Sequence, residues 1–193
     1  MALTRLGLNQ SINLATNTTG DLNLASQVTG TLPTGNGGTG ATSFSPGKVL
    51  QVVSASNTSN NTTSSSSFTD IPSLSVSITP SATSSKILVQ FVTYVSNTGS
   101  NTWWHRLLRD STALNESSNS SSIDGGGGNA SGYNRNKGNN IYLDSPNSTS
   151  VLLYKLQWRC DGNVLCLNQV GSASSRGGGS TITVMEIGAW FHY

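Results

Sequence analysis

The stretch SLSVSITP, which runs from Ser73 to Pro80, decides the fold class of this chain. Leu74, Val76 and Ile78 alternate with serines until Pro80 ends the run. Because successive side chains of a β-strand point to opposite faces, this period of two places the apolar residues on one side. The stretch therefore predicts a half-buried strand whose serines face solvent.

Similar patterns recur along the rest of the chain. The run ILVQFVTYV, from Ile87 to Val95, is apolar on both faces, which predicts a strand that is central in its sheet or covered by a neighbouring subunit. A second long strand carries apolar residues on one face at Leu152, Tyr154, Leu156, Trp158 and Cys160. No window shows a helical stripe. Roughly eight short strands with turns between them predict an all-β protein, an antiparallel β-sandwich or jelly roll.

Two polar segments interrupt the strands. Residues 54–67 consist of Ser, Thr and Asn with one alanine, and they predict a long loop or an exposed edge. Residues 115–140 contain four consecutive glycines and predict another loop, followed by a short strand at Ile141–Leu143.

The composition limits the partners of the chain. Only 9% of the residues are charged and the formal net charge is +2, so we expect no nucleic-acid partner. No apolar run approaches the roughly 20 residues of a membrane-spanning helix, so we expect no membrane insertion. The first residues do not resemble a signal peptide, and we therefore expect synthesis in the cytoplasm.

The two cysteines flank a turn signal. Asp161-Gly162 is typical of a tight hairpin, which would place Cys160 opposite Asn163 and Cys166 opposite Gln157. The thiols would then not meet, and two free, partly buried thiols are favoured over a disulfide. No further Cys or His lies near enough in sequence to suggest a metal site.

A glycine-rich stretch imitates a nucleotide-binding turn. Gly35, Gly37 and Gly40 have the spacing G-x-G-x-x-G, but no buried strand precedes them and Pro46 interrupts any helix after them. Without that strand and helix the spacing cannot hold a pyrophosphate, and we expect no cofactor. We interpret the stretch as a hinge formed by Gly35, Gly37, Gly38 and Gly40.

Catalytic patterns are absent from the sequence. There is no G-x-S-x-G motif, and His105 and His192 are the only histidines. In the body of the chain, the candidates for a glycan-cleaving pair of acids are Asp110, Glu116, Asp124, Asp144, Asp161 and Glu186, and nothing singles out two of them. We therefore predict no catalytic residues, although glycan depolymerase stays as a less favoured alternative.

Aromatic residues offer the candidate binding site. Trp103, Trp104 and Tyr133 lie near predicted loops and are candidates for contact with host glycans, because exposed aromatic faces stack on sugars. The alternative, left open here, is that they fill the sandwich core or a subunit interface.

Several segments resemble the fibre proteins of tailed phages. Leu24–Pro33 (LASQVTGTLP) and Asn36–Gly40 (NGGTG) are similar to the N-terminal regions of many such fibres. The remainder, Gly47 to Gly188, resembles a C-terminal domain of fibres from marine and cyanobacterial phages. The segments that carry this second resemblance are Lys48–Val53, Ser67–Ile71, Leu74–Pro80, Ser84–Val89, Leu107–Thr112, Leu143–Pro146 and Thr181–Ile187.

The resemblance implies a homotrimeric, β-rich virion protein assembled in the cytoplasm of a bacterial host. Residues 1–46 would form a short, extended attachment segment that contacts other virion proteins, and residues 47–193 a β-sandwich knob. We expect a non-enzymatic short tail fibre that takes part in host adsorption. Since a long shaft is missing between the two parts, a head fibre or a capsid decoration (cement) protein is the alternative.

Overall fold

A computed structural model describes residues 49–98, 102–114, 124–127, 133–170, 173–176 and 178–188. The chain divides into one unit from Met1 to Pro46 and a second from Gly47 to Tyr193, and every described residue belongs to the second. The predicted attachment segment and the four hinge glycines (Gly35, Gly37, Gly38 and Gly40) therefore lie outside the described residues, and both predictions stay predictions.

The described part of the chain is built of strands and contains no helix. One sheet, called the first sheet, contains β1 (Val49–Asn57), β2 (Asn61–Thr63), β4 (Lys86–Thr98), β8 (Tyr133–Asp144), β10 (Leu165–Leu167) and β13 (Ser180–Ile187). The second sheet contains β3 (Thr69–Ile78), β5 (Thr102–Arg109), β6 (Thr112–Leu114), β7 (Asp124–Gly127) and β9 (Leu152–Asp161). A separate two-stranded ribbon consists of β11 (Gln169–Val170) and β12 (Ala173–Arg176).

All strand pairs are antiparallel, and consecutive long strands alternate between the sheets. In the first sheet β8 pairs along one edge of β4, while β13 and β10 share its other edge and are bordered by β1 and β2. The second sheet has the order β3-β9-β5, and β6 and β7 share the far edge of β5. The path from β3 to β4 to β5, and later from β8 to β9 to β13, crosses between the sheets each time. This is a jelly roll, and it confirms the predicted all-β sandwich.

The core lies between the two sheets. All five residues predicted on one face of β9 are buried: Leu152, Tyr154, Leu156, Trp158 and Cys160. The inner face of β4, with Ile87, Val89 and Phe91, packs in the same core. Since β4 has partner strands on both edges, the prediction that Ile87–Val95 is central in its sheet is confirmed.

The predicted hairpin at Asp161-Gly162 is wrong. β10 pairs with β2 and β4 in the first sheet, whereas β9 pairs with β3 and β5 in the second. The chain therefore crosses from one sheet to the other at Gly162, whose φ of 106° favours glycine. Cys160 and Cys166 are both buried and free, as predicted, and burial raises the pKa of the Cys160 thiol.

Both polar segments contain strands that their composition did not predict. β1 continues through Asn57 and β2 follows at Asn61, so residues 54–67 contribute to the edge of a sheet, which was one of the two expectations. The loop prediction for 115–140 is wrong at β7 and from Tyr133 onward, where β8 begins. The predicted short strand Ile141–Leu143 is part of the last residues of β8, before Asp144. Main-chain pairing with β4 from Ile87↔Asp144 to Thr98↔Tyr133 holds β8, and such pairing does not depend on apolar side chains.

Candidate functional site

The outer face of the first sheet carries an apolar row that crosses four strands. The register places Val52 opposite Met185, Met185 opposite Leu88, and Leu88 opposite Leu143. Val52 and Leu143 are 56% and 54% exposed, while the two residues between them are half-buried. The row is thus an apolar surface on the outside of the sandwich, away from the core.

Neighbouring residues extend this row into a patch, which we call the apolar face. It consists of Leu50, Val52, Leu88, Val92, Ile141, Leu143, Met185 and Ile187. Ile141 is 60% exposed beside Gln90. Isolated exposed apolar residues are common on proteins, whereas a contiguous exposed apolar patch is a candidate interaction surface.

The apolar face is also free of charge across its middle. The three cross-strand rows that contain Leu88, Gln90 and Val92 hold no charged residue. Lys86 lies at one end of the face, where its Nζ donates to the Ser145 hydroxyl at 2.8 Å, and Lys137 lies over the Tyr94 ring at the other. A partner covering these rows would therefore not have to desolvate a charge.

Trp103, a candidate for glycan contact, lies in the core, which was the alternative left open. Its side chain is 2% exposed and packs in the core beside His105, with ring centroids 5.0 Å apart. Trp104 is half-buried on the opposite, outer face of the second sheet, because successive strand residues alternate in direction. The side chain of Tyr133 lies outside the described part of the chain. The structure therefore does not bring these three aromatic residues together into one site.

Asp144, one of the acids considered for catalysis, is held by an ion pair and hydrogen bonds within the fold. The Arg109 guanidinium donates to both Asp144 carboxylate oxygens at 2.8 and 2.6 Å, and the Tyr154 hydroxyl donates to one of them at 2.6 Å. The backbone N–H of Ser145 donates to the other oxygen. Burial and the adjacent Asp144 raise the pKa of Tyr154 well above its usual range. This cluster connects β8 of the first sheet with β5 and β9 of the second.

Glu186 is buried, and no cation pairs with it among the described residues. Its carboxylate accepts hydrogen bonds from Gln51 Nε2, from the Ser81 N–H and hydroxyl, and from the Ser85 hydroxyl, all at 2.6–2.7 Å. Burial alone would raise the pKa of Glu186, but these hydrogen bonds outweigh it and lower the pKa to about 2. Glu186 therefore stays ionised. Its hydrogen bonds connect strand β13 with the loop that follows β3.

The remaining candidates do not assemble with these acids. Asp110 is exposed and accepts from the Leu153 N–H at 3.0 Å, and Asp161 is exposed at the end of β9. His105 is buried between Trp103 and Phe91. Glu116, His192 and the side chain of Asp124 lie outside the described residues. In the described part of the chain, no group of three His, Cys, Asp or Glu residues could hold a metal ion.

Sequence reasoning missed a second surface feature. On the outer face of the second sheet, Arg106 and Arg159 lie over the ring of Phe68, and Lys155 lies close by. The alternation of polar residues at Lys155, Gln157 and Arg159 with buried ones was the signal that could have found it. It indicated an outward face, but not which side chains from other strands join it.

A search for membrane spans among the described residues found no helix long and apolar enough to cross a bilayer. No protein-family model matches the chain, and no curated protein matches it.

Two solved structures are similar to the chain at low levels. One is the TNF protein Eiger from S. frugiperda, with a TM-score of 0.32 and 7% identity, which covers 73% of this chain and 96% of that chain. The other is infectious bursal disease virus, Gx strain, with a TM-score of 0.34 and 13% identity, which covers 72% of this chain and 43% of that chain. Likenesses this weak indicate neither a family nor a function. The class of this protein rests on its own strand order, which is that of a jelly-roll β-sandwich.

Proposed function

We propose that the chain is a non-enzymatic bacteriophage virion protein, a short homotrimeric tail fibre that takes part in host adsorption. The observation that carries the proposal is the apolar face of the first sheet. The resemblance of residues 24–40 and 47–188 to phage fibres supplies the virion context and the number of three subunits.

Sister copies are the occupants that best fit the apolar face. Each copy presents the same uncharged rows, so association of identical chains removes the patch from water in every subunit at once. Burying apolar area stabilises the assembly by about 25 cal/mol per Å² before the entropic cost of association. Residues 1–46 contact other virion proteins in this proposal.

The mass of the full chain in solution tests the assembly. Light scattering should give three times the chain mass for the wild type, and the variant Leu143→Lys should shift the mass toward one chain because a buried ammonium would be unpaired. Val151→Lys is the matched control, since Val151 is 65% exposed but lies outside the apolar face. A wild type that stays monomeric at high concentration, or equal effects of both variants, would contradict the homotrimer.

The position on the virion is a separate test. Antibody labelling of intact particles, viewed by electron microscopy, should place this chain at the tail. Label on the capsid faces would instead favour the head fibre or cement protein. Release of reducing ends from host polysaccharide by the purified protein, lost in acid-to-amide variants, would replace the non-enzymatic proposal with a depolymerase.

A further inference from the structure

The apolar face contains a depression between β4 and β8. Its volume is about 350 Å³, and its lining residues on the outer side of the sheet are Gln90 and Val92 of β4, and Asn139 and Ile141 of β8. One water molecule takes up only about 30 Å³ in the liquid, so the depression has room for side chains of another molecule. Its walls are apolar at Val92 and Ile141. We call it the β4–β8 depression.

Two exposed carboxamides belong to the same depression. Among the described residues, no hydrogen bond is found for the side chains of Gln90 and Asn139. A carboxamide carries an oxygen that accepts and an NH2 group that donates, and it has no charge. It is therefore complementary to main-chain N–H and C=O groups, which are the groups that an edge strand leaves unpaired.

β1 is an edge strand without the usual protection. β13 pairs along one edge of β1, and no described strand pairs along the other. Edge strands are commonly protected by charged side chains, proline or a bulge. β3, at the edge of the second sheet, has Asp70, Pro72 and a register shift between Asp70 and Ser75. β1 has no charged residue and no proline, and its register shift is confined to its start, between Val49 and Gln51.

The unprotected edge of β1 also exposes apolar side chains. Leu50 and Val52 are 47% and 56% exposed. β13 lies between β1 and β4, and neighbouring strands are about 4.8 Å apart, so β1 is roughly 10 Å from β4 and roughly 14 Å from β8. Val52 therefore does not reach the β4–β8 depression of its own chain. In a ring of three identical chains each contact joins two different surfaces, and the first sheet offers two such surfaces.

We propose that the β1 edge of one copy, with Leu50 and Val52, occupies the β4–β8 depression of the next copy, an inference that rests on the proposed homotrimer. A second copy of this chain is the occupant because the two surfaces are uncharged and complementary. The apolar side chains of β1 lie against the apolar walls of the depression, which removes apolar area from water on both sides. The carboxamides of Gln90 and Asn139 exchange hydrogen bonds with the main chain along the open edge of β1.

Disulfide cross-linking of the purified full chain tests this contact. Two double variants are oxidised with glutathione disulfide, Val52→Cys/Asn139→Cys and Val52→Cys/Gln90→Cys. At least one of them should give covalent trimers on a non-reducing gel, because each copy is linked to both neighbours. The Cα atoms of a disulfide lie about 4.4–6.8 Å apart, so the two new cysteines of one chain are too distant to pair with each other. Cys160 and Cys166 are buried, and the wild type should give no covalent trimer.

Control variants distinguish a ring from a contact between like surfaces. Val52→Cys alone should give no more covalent dimer than Val151→Cys, because in a ring the cysteine of each copy faces a different surface of its neighbour. Val151 is the matched position, since it is 65% exposed but lies outside the apolar face. Val151→Cys/Asn139→Cys should likewise give no covalent trimer.

The carboxamide contact has a measurement of its own. Gln90→Ala keeps the apolar walls, and it should weaken association about fivefold for each contact between two copies, the effect of one neutral hydrogen bond. Ser75→Ala, at an exposed position of β3 in the second sheet, is the control and should associate as the wild type does. Sedimentation over a range of protein concentrations gives both values, and equal association of the two variants would overturn the assigned hydrogen bonds.

The cross-linking results separate this inference from the proposed function. A trimeric protein in which neither double variant gives covalent trimers would overturn this inference alone. Ready dimerisation of Val52→Cys by itself would do the same, because it would show that two copies of the same surface meet. A wild type that is monomeric in light scattering contradicts the proposed homotrimer, and this inference with it.

Discussion

The hydroxyl of Tyr154 donates a 2.6 Å hydrogen bond to the carboxylate of Asp144, and the two residues belong to opposite sheets of the sandwich. Arg109 pairs with the same carboxylate from the second sheet. Asp144, buried at the end of β8, thus links the two sheets at this end of the sandwich. The charge of Arg109 and the hydrogen bond from Tyr154 offset the free-energy cost of burying the Asp144 carboxylate.

The first prediction concerns this bond. Tyr154→Phe removes the hydroxyl but keeps the ring, and it should lower the free energy of unfolding by about 1.5–3 kcal/mol, the range for a hydrogen bond to a charged group. Urea denaturation measures the change. Tyr142→Phe is the control, since no hydrogen bond of the Tyr142 hydroxyl is found among the described residues. Equal losses in the two variants would show that the Asp144 contact contributes nothing.

The second prediction follows from Glu186. Because its pKa is lowered to about 2 in the folded protein, its stabilising contribution is complete above the unfolded value of about 4.5 and is lost as the pH falls toward 2. The contribution at neutral pH is on the order of 3 kcal/mol. Unfolding free energies measured from pH 7 downward should therefore fall more steeply for the wild type than for Glu186→Gln. Equal slopes for the two proteins would contradict this contribution.

The third prediction tests a close approach in the core. A Cβ at Gly126 would lie 3.0 Å from Cζ2 of the Trp103 indole, closer than side chains pack. Gly126→Ala should therefore displace the ring and cost about 1–3 kcal/mol. At Gly179 the nearest atom to an added Cβ is 3.4 Å away, so Gly179→Ala should change stability less. Thermal melts compare the two, and equal midpoints would remove the packing argument.

The fourth prediction separates backbone conformation from hydrogen bonding at Asn168. This buried residue has a φ of 58°, and its amide donates to the carbonyls of Asn57 at 2.7 Å and Ser59 at 3.0 Å. Its Oδ1 accepts from the Ser180 hydroxyl at 2.7 Å. Asn168→Gly keeps the left-handed conformation and loses these bonds, and it should cost at least about 2 kcal/mol.

Asn168→Ala loses the same bonds and adds left-handed strain, so it should be less stable than Asn168→Gly by about 1 kcal/mol. Denaturant midpoints for the two variants and the wild type give both differences. If Asn168→Gly were as stable as the wild type, the hydrogen bonds would not support the junction of β1, β10 and β13.

The burial pattern of the long strands was predictable from the sequence. The alternation in β3 and β9 gave the buried residues, and the apolar character of β4 gave its central position. The side of Trp103 was left open between the core and the surface, although Arg106 indicated the core. Arg106 faces outward, so Trp104, two residues earlier, shares its face and Trp103 does not.

The hairpin at Asp161-Gly162 and the loop over residues 115–140 were mispredicted because local patterns do not specify strand pairing. A turn signal indicates that the chain reverses direction. It does not indicate which sheet the next strand joins, because both sheets border the same core and a strand with one apolar face fits either of them. Only the pairing of β10 with β2 and β4 assigns it to the first sheet. Pairing of β8 with β4 likewise depends on main-chain groups, which composition does not report.

By itself, the sequence determined the buried faces of β3 and β9, because side-chain alternation is a local property of the backbone. It also determined the scarcity of charge that makes an apolar surface stand out. Only the tertiary structure determined which side chains lie together on one surface. The rows of the apolar face join β1, β13, β4 and β8, and on the outer face of the second sheet Phe68 meets Arg106 and Arg159. These contacts arise from pairing between distant segments, and no local pattern specifies which strands become neighbours.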